Sequence, residues 1–286
     1  MTGDTRRGHN ATLFTLFLVL LLSTVTIAGC GLVRRNSPVA QATATAQTAA
    51  VVEATALLSG TAWDVAYFFE PDQQVAVIPD TRLTTNFLVD RYAGSGGCNW
   101  YLGVYAVDAS TMRLYAPAQT MITCADEQVN EQEALFLSTM ANTIAYAMEG
   151  EQLVAYTSDQ QRLITYEPAA PVSFTGTQWA LKFLASEGDT VSLLAGSEVT
   201  ATFDAQRLTG FDGCGDYSAT YAQAGQTLTI GVIEVSETSC DDADDRMAQQ
   251  QAYLTLLSRA VTYAQQGGIL LLFDKDAAPL LMFGAP

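Results

Sequence analysis

Four cysteines stand in two pairs of identical spacing, Cys98 with Cys124 and Cys214 with Cys240, each pair 26 residues apart. Thiols in an even, evenly spaced set do one of two kinds of chemistry: they close disulfides or they hold a metal. Zinc is a poor fit, because the chain has no CxxC and its only histidine is His9, near the N-terminus. The same lack of histidine excludes a Ser-His-Asp triad, and no embedded carboxylate pair marks a hydrolase. The densest acidic cluster is Asp241, Asp242, Asp244 and Asp245. Its oxygens suit calcium, but the spacing lacks the glycine turn and terminal glutamate of an EF-hand loop. These acids precede a helical pattern whose N-terminus attracts negative charge, so capping accounts for them and divalent-cation binding would be weak. Asp126 and Glu127 take the same place earlier in the chain. No catalytic, cofactor or metal residue is therefore expected.

A fifth cysteine has another role. Arg6 and Arg7 precede an apolar run from Leu13 to Leu22, which leads into Ile27, Ala28, Gly29 and Cys30. This is the three-part pattern of a secretion signal, and the run is shorter than the roughly 20 residues that a spanning helix needs. The last four residues are similar to the lipobox of bacterial lipoproteins. That resemblance implies removal of residues 1–29 and lipidation of Cys30, with the rest of the chain in the cell envelope, outside the cytoplasm. Residues 30–58, rich in Ala, Thr, Gln and Val and free of aromatics, have too little bulky apolar surface to offset ordering and read as a tether.

Beyond the tether the chain is a duplication. Gly60, Thr61 and Trp63 recur as Gly176, Thr177 and Trp179, a shift of 116 that also carries Phe87 to Phe203, Gly97 and Cys98 to Gly213 and Cys214, Tyr101 to Tyr217, and Cys124 to Cys240. After the second cysteine the shift is 117, taking Phe136 to Tyr253, Met140 to Leu257 and Tyr166 to Phe283. Two domains follow, 59–168 and 172–286, each long enough to own a core and joined by a short proline-containing connector, like beads on a string. Four thiols allow three connectivities. The duplication selects Cys98–Cys124 and Cys214–Cys240, since each unit had to be viable before it was copied, and export favours oxidation.

Each unit shows short aromatic and β-branched runs, then one helical period, then more short runs. In the first copy the strands are expected at 63–69, 86–89, 100–107 and 112–115, the helix at 126–140 with Val129, Phe136 and Met140 on one face, and further strands at 143–148, 152–157 and 163–166. In the second, the helix face is expected to carry Met247, Leu254, Leu257 and Val261. The fold class is mainly β (α+β): two tandem small antiparallel β-barrel-like domains, each with one helix. Trp63 and Trp179 read as core anchors and Asn99 as a turn residue.

The opening Gly60, Thr61 and Trp63, the Gly97, Cys98, Asn99, Tyr101 and Tyr105 run, Thr123 with Cys124, and Glu133, Phe136 and Met140 together resemble the META domain, also called the HslJ-like family. The second copy keeps Gly176, Thr177, Trp179, Gly213, Cys214, Tyr217, Ser239 and Cys240 but has Gly215 where the family has Asn and Gln250 where it has Glu. The resemblance implies a lipocalin-like barrel with one helix, and an association with bacterial envelopes, stress response and secretion or motility, without an established reaction.

Charge narrows the partners. The chain holds 30 acidic and 13 basic residues, net −17; two of the acids and four of the bases precede Gly60, leaving 28 against nine in the folded part. Nucleic acid and anionic lipid surfaces would be repelled. The expectation is a non-enzymatic envelope lipoprotein, contacting the membrane through its N-terminal lipid and acting as a protein-interaction or envelope-stress module. The alternative is a small-molecule carrier with a cavity inside the barrel.

Overall fold

The computed structural model describes residues 58–70, 73–186, 189–236, 240 and 243–286. Cys30, the tether as far as residue 57, Ser239, Asp241 and Asp242 lie outside them, whereas Leu58, at the tether's expected end, is buried in the first core. The first copy runs β1 (Thr61–Glu70), β2 (Gln73–Ala76), β3 (Thr84–Phe87), β4 (Arg91–Ser95), β5 (Trp100–Asp108), β6 (Thr111–Leu114), β7 (Ala118–Gln119), α1 (Glu127–Ala141), β8 (Ala145–Glu149), β9 (Gln152–Tyr156) and β10 (Arg162–Pro168). The second repeats it as β11 (Gln178–Ser186), β12 (Asp189–Ser192), β13 (Thr200–Asp204), β14 (Arg207–Phe211), β15 (Asp216–Ala224), β16 (Thr227–Ile230), β17 (Glu234–Val235), α2 (Ala243–Arg259), β18 (Thr262–Gln266), β19 (Ile269–Phe273) and β20 (Pro279–Gly284).

Each sheet is antiparallel and closes on itself, β1 pairing with β10 and β11 with β20. Closure removes the sheet edge that a small β-domain would otherwise expose. The weakest seam is the same in both walls: β6 meets β8 only at Thr111 and Ala145, and β16 meets β18 only at Thr227 and Thr262. Between those strands the chain leaves the wall to build the helix. Strand alternation sorts the side chains: on β5, Tyr101 and Tyr105 join the interior cluster while Leu102 faces outward. The interiors are filled. Trp63, Phe68, Phe87, Tyr92, Tyr101, Phe136 and Tyr166 occupy the first, and Trp179, Phe203, Tyr217, Tyr253 and Phe283 the second.

Helix α1 starts at Asp126, whose Oδ1 accepts the Gln128 N–H at 2.9 Å. Val129, Phe136 and Met140 are buried as their spacing implies, and Gln132 and Glu133 are buried beside them. The second helix corrects the expected face. Tyr253, Leu256 and Leu257 are its buried apolar residues, Met247 is 49% exposed, and Val261 falls beyond its end. Met247 is ten residues from Leu257, which places it about 80° around the helix, off the buried stripe.

Both disulfides close within a copy, Cys98–Cys124 with Cα atoms 5.9 Å apart and Cys214–Cys240 with 5.0 Å. Replacing either pair by alanine should lower the stability of its own copy by about 3.5 kcal/mol, the chain entropy of a loop this size. Urea unfolding of the two double variants checks this.

Burial raises the pKa of the interior tyrosines: Tyr105 is pushed up to about 12, and Tyr92, Tyr101, Tyr166, Tyr217 and Tyr253 all lie above their ordinary value. A raised folded value means that the unfolded chain loses these protons first. The stability they contribute is complete below the unfolded value of about 10 and is lost as pH climbs through the folded values. Stability should therefore fall steeply above about pH 10, with phenolate absorbance rising together with unfolding. Phenolates titrating at their ordinary value in a still-folded chain would contradict this.

The two copies are not beads on a string. Leu88, Ala93 and Leu102 from the first barrel and Phe183, Ile269, Leu271 and Met282 from the second form one buried apolar cluster between them. Each copy uses a different outer face, so the contact is heterologous. The repeat equivalences show that the contacting residues differ between the copies. Ala93, Trp100, Leu102 and Ala118 in the first copy correspond to Thr209, Asp216, Ser218 and Glu234 in the second, where that face is open. Ile269, Met282 and Gly284 correspond to Gln152, Thr165 and Glu167, of which Thr165 is itself buried.

Candidate functional site

Polar chemistry concentrates where the β4–β5 turn meets the helix. In the first copy the Glu133 carboxylate, on α1, accepts the backbone N–H of Asn99 at 2.6 Å and its side-chain Nδ2–H at 2.6 Å. Asn99 is 7% exposed and its amide does more: Nδ2 also donates to Ile122 O at 2.9 Å, while Oδ1 accepts Thr120 Oγ1–H at 2.8 Å and the Ile122 N–H at 2.7 Å. Asn99 is thus a buried latch binding the strand, the helix and the segment leading to Cys124, and more than the turn residue expected. Every one of these polar groups is satisfied inside the fold, so the arrangement holds structure and offers no free acid or base.

The second copy solves the same problem with the charge moved. Gly96 becomes Asp212, Asn99 becomes Gly215 and Glu133 becomes Gln250. Asp212 is fully buried, its Oδ1 accepting the N–H of Gly215 at 2.8 Å and of Cys214 at 2.9 Å, its Oδ2 accepting Gln250 Nε2–H at 2.8 Å. A Cβ on Gly96 would lie 2.3 Å from Glu133 Oε1, so one copy has room for one of the two acids. The departures from the family pattern are therefore paired: the carboxylate changes element and still meets the N–H at the equivalent backbone position. Gln132 and Gln249, the neighbouring buried amides, keep one role, accepting from Ile78 N–H at 2.6 Å and Leu194 N–H at 2.7 Å.

The other expected residues fall outside any site. Trp63 and Trp179 are core, Nε1 of the first donating to Thr61 Oγ1 at 2.7 Å and of the second to Phe174 O at 3.1 Å. Asp245 is exposed, and among the described residues no group of three His, Cys, Asp or Glu is arranged to hold a metal ion.

What the sequence reading missed is a groove of about 660 Å³ at the junction of the copies. Trp100, Leu181 and Lys182 contribute to it, with Cys98 and residues 120–123 on one side and residues 192–197 on the other. The Lys182 ammonium sits 4.9 Å from the centre of the Trp100 ring. That indole lies against Gly284, where a Cβ would come within 2.4 Å of it. Desolvation lowers the Lys182 pKa, opposed by Glu198 nearby. The signal was a break in the repeat: Trp100 corresponds to Asp216, and Lys182 to Ala66.

A family profile described as the META domain matches residues 56–170 and again 172–286. The chain belongs to the META domain family. Its two META copies share the closed wall, the intervening helix and the disulfide, and differ at the latch and on the outer faces. Among solved structures, an NMR structure of a protein from Burkholderia xenovorans is 20% identical, with 41% of this chain and 88% of that one covered and a TM-score of 0.36. A crystal structure of a DUF4847 family protein from Bacteroides vulgatus is 14% identical, covering 40% of this chain and 96% of its own, with a TM-score of 0.29. No curated protein matches.

Proposed function

We propose that this tandem META protein is an exported, lipid-anchored binding module of the cell envelope that engages a protein partner and does no chemistry of its own. The observation that carries this reading is the filling of both barrels and the internal satisfaction of both latches, which leave the outer surface of a rigid pair of domains as the working part. The export signal, the Cys30 lipobox and the tether support display away from a membrane. Envelope-stress support is the physiological role that fits such a module. Small-molecule binding inside a barrel is not favoured, since aromatic side chains occupy that space; the junction groove is where such binding has room.

Fractionation of cells carrying the wild-type chain and Cys30→Ser tests the placement. The reading requires lipid label on the wild-type chain in the membrane fraction and none on the variant. An unlabelled, cytoplasmic wild-type chain would overturn it, as would a deletion strain with unaltered tolerance to envelope stress and no reproducible cross-linked partner.

A further inference from the structure

The junction groove exists once, because only the docked pair of copies builds it. Its lining is apolar and polar in roughly equal shares, and two of its apolar side chains, Met121 and Ile122, are 87% and 59% exposed. Large apolar groups at the mouth of a concavity are a recognised mark of ligand sites. The volume falls within the range of small-molecule sites, roughly 300–1,000 Å³. Within this lining one side chain is cationic, Lys182, and among the described residues no carboxylate lies within ion-pairing distance of it. Of the charged groups around it, Glu198 is close enough to act on the ammonium electrostatically, without pairing to it.

We propose that the groove binds a small apolar molecule bearing one carboxylate, anchored by the Lys182 ammonium on its Trp100 platform. A chain with net charge −17 repels anions in general. A lone, half-buried ammonium beside apolar walls reverses that preference at one place. Cation–π contact with Trp100 gives Lys182 part of its stability but leaves its hydrogen-bond donors available to an acceptor. The acyl or aryl part of the ligand would lie along Ile122, Leu193 and Leu194, covering surface that water now touches. The proposal concerns a ligand and goes beyond the protein-partner role above.

Tryptophan fluorescence tests it, because Trp63 and Trp179 are 5% and 0% exposed while Trp100 lines the groove. The full-length chain in nanodiscs is titrated with ω-bromooctanoate, whose bromine quenches an indole on contact, and with the neutral ω-bromooctanol. Quenching by the carboxylate should saturate. Lys182→Met should raise the half-saturating concentration about tenfold, the worth of one charge-assisted contact, and the alcohol should bind wild type as weakly as the carboxylate binds the variant. Met121→Glu, at an exposed rim position, should weaken carboxylate binding about threefold by repulsion with an unchanged circular dichroism spectrum. Unsaturable quenching, equal curves for wild type and Lys182→Met, equal curves for acid and alcohol, or indifference to Met121→Glu would each overturn the assignment.

Discussion

Gly96→Asp should destabilise the first META copy by about 4 kcal/mol, and adding Glu133→Gln should bring it back to within about 1–2 kcal/mol of the parent. The single change puts a Cβ where Glu133 Oε1 stands 2.3 Å away and buries a second carboxylate beside the first. Overpacking and an unpaired buried charge both act against it. The second change converts the helix residue into the amide that occupies its place in the other copy, where Gln250 Nε2 donates to the Asp212 carboxylate at 2.8 Å. The carboxylate introduced in place of Gly96 can then accept the Asn99 N–H as Asp212 accepts that of Gly215. Glu133→Gln alone removes an acceptor shared by two buried donors and should cost about 1–3 kcal/mol. Urea unfolding of the three variants reads the coupling. Additive losses would mean that the two copies do not share one latch in two spellings.

Transplanting the first copy's outer residues onto the second, Ile269→Gln with Met282→Thr, should part the copies while leaving both barrels folded. The residues introduced occupy the equivalent positions of a closed wall in the other copy, as the partly exposed Gln152 and the buried Thr165, so a wall of this kind accommodates them. Ile269 and Met282 are 0% and 1% exposed and belong to the cluster between the barrels. Losing their apolar contacts and burying polar groups in their place should cost about 3–6 kcal/mol of docking energy. The expected readouts are cleavage by protease in the connector near Ala169 and Ala170 and a larger hydrodynamic radius, with near-native circular dichroism. A variant that stays as compact and as protease-resistant as the parent would show that these residues do not hold the copies together.

Much of the barrel could be read from residue types because its strands bury one face. β5, with Tyr101, Tyr105 and Val107 alternating against more exposed neighbours, is legible by period alone. β4 was missed, since Ala93 and Gly94 give little β signal and are chosen for close packing. β2 and β7 are too short to show a period. The docking of the copies was also written in the chain. β19 and β20, Ile269–Phe273 and Pro279–Gly284, are apolar on both faces, whereas their counterparts carry Gln152, Thr165 and Glu167. A strand without alternation is buried on both sides, but Leu153, Val154 and Ala155 of β9 are buried as well, so the difference between copies shows only where Gln152 and Glu167 replace Ile269 and Gly284. The latch was half legible: Asn99 and Glu133 stood out by resemblance, but the compensation through Asp212 needed the fold, because 38 residues separate it from Gln250. The groove left one mark in the sequence, the break in the repeat at Trp100 and Lys182, which points to no groove until the faces that meet are known.

Residual dipolar couplings from both META copies, collected on one aligned sample of the intact chain, test the central claim that the duplicated barrels dock as a single rigid body. The account predicts one alignment tensor that fits the amides of β3–β5 and of β18–β20 together. Two tensors of different magnitude, one for each copy, would show domains that reorient freely, and the shared cluster and the junction groove would fall with them.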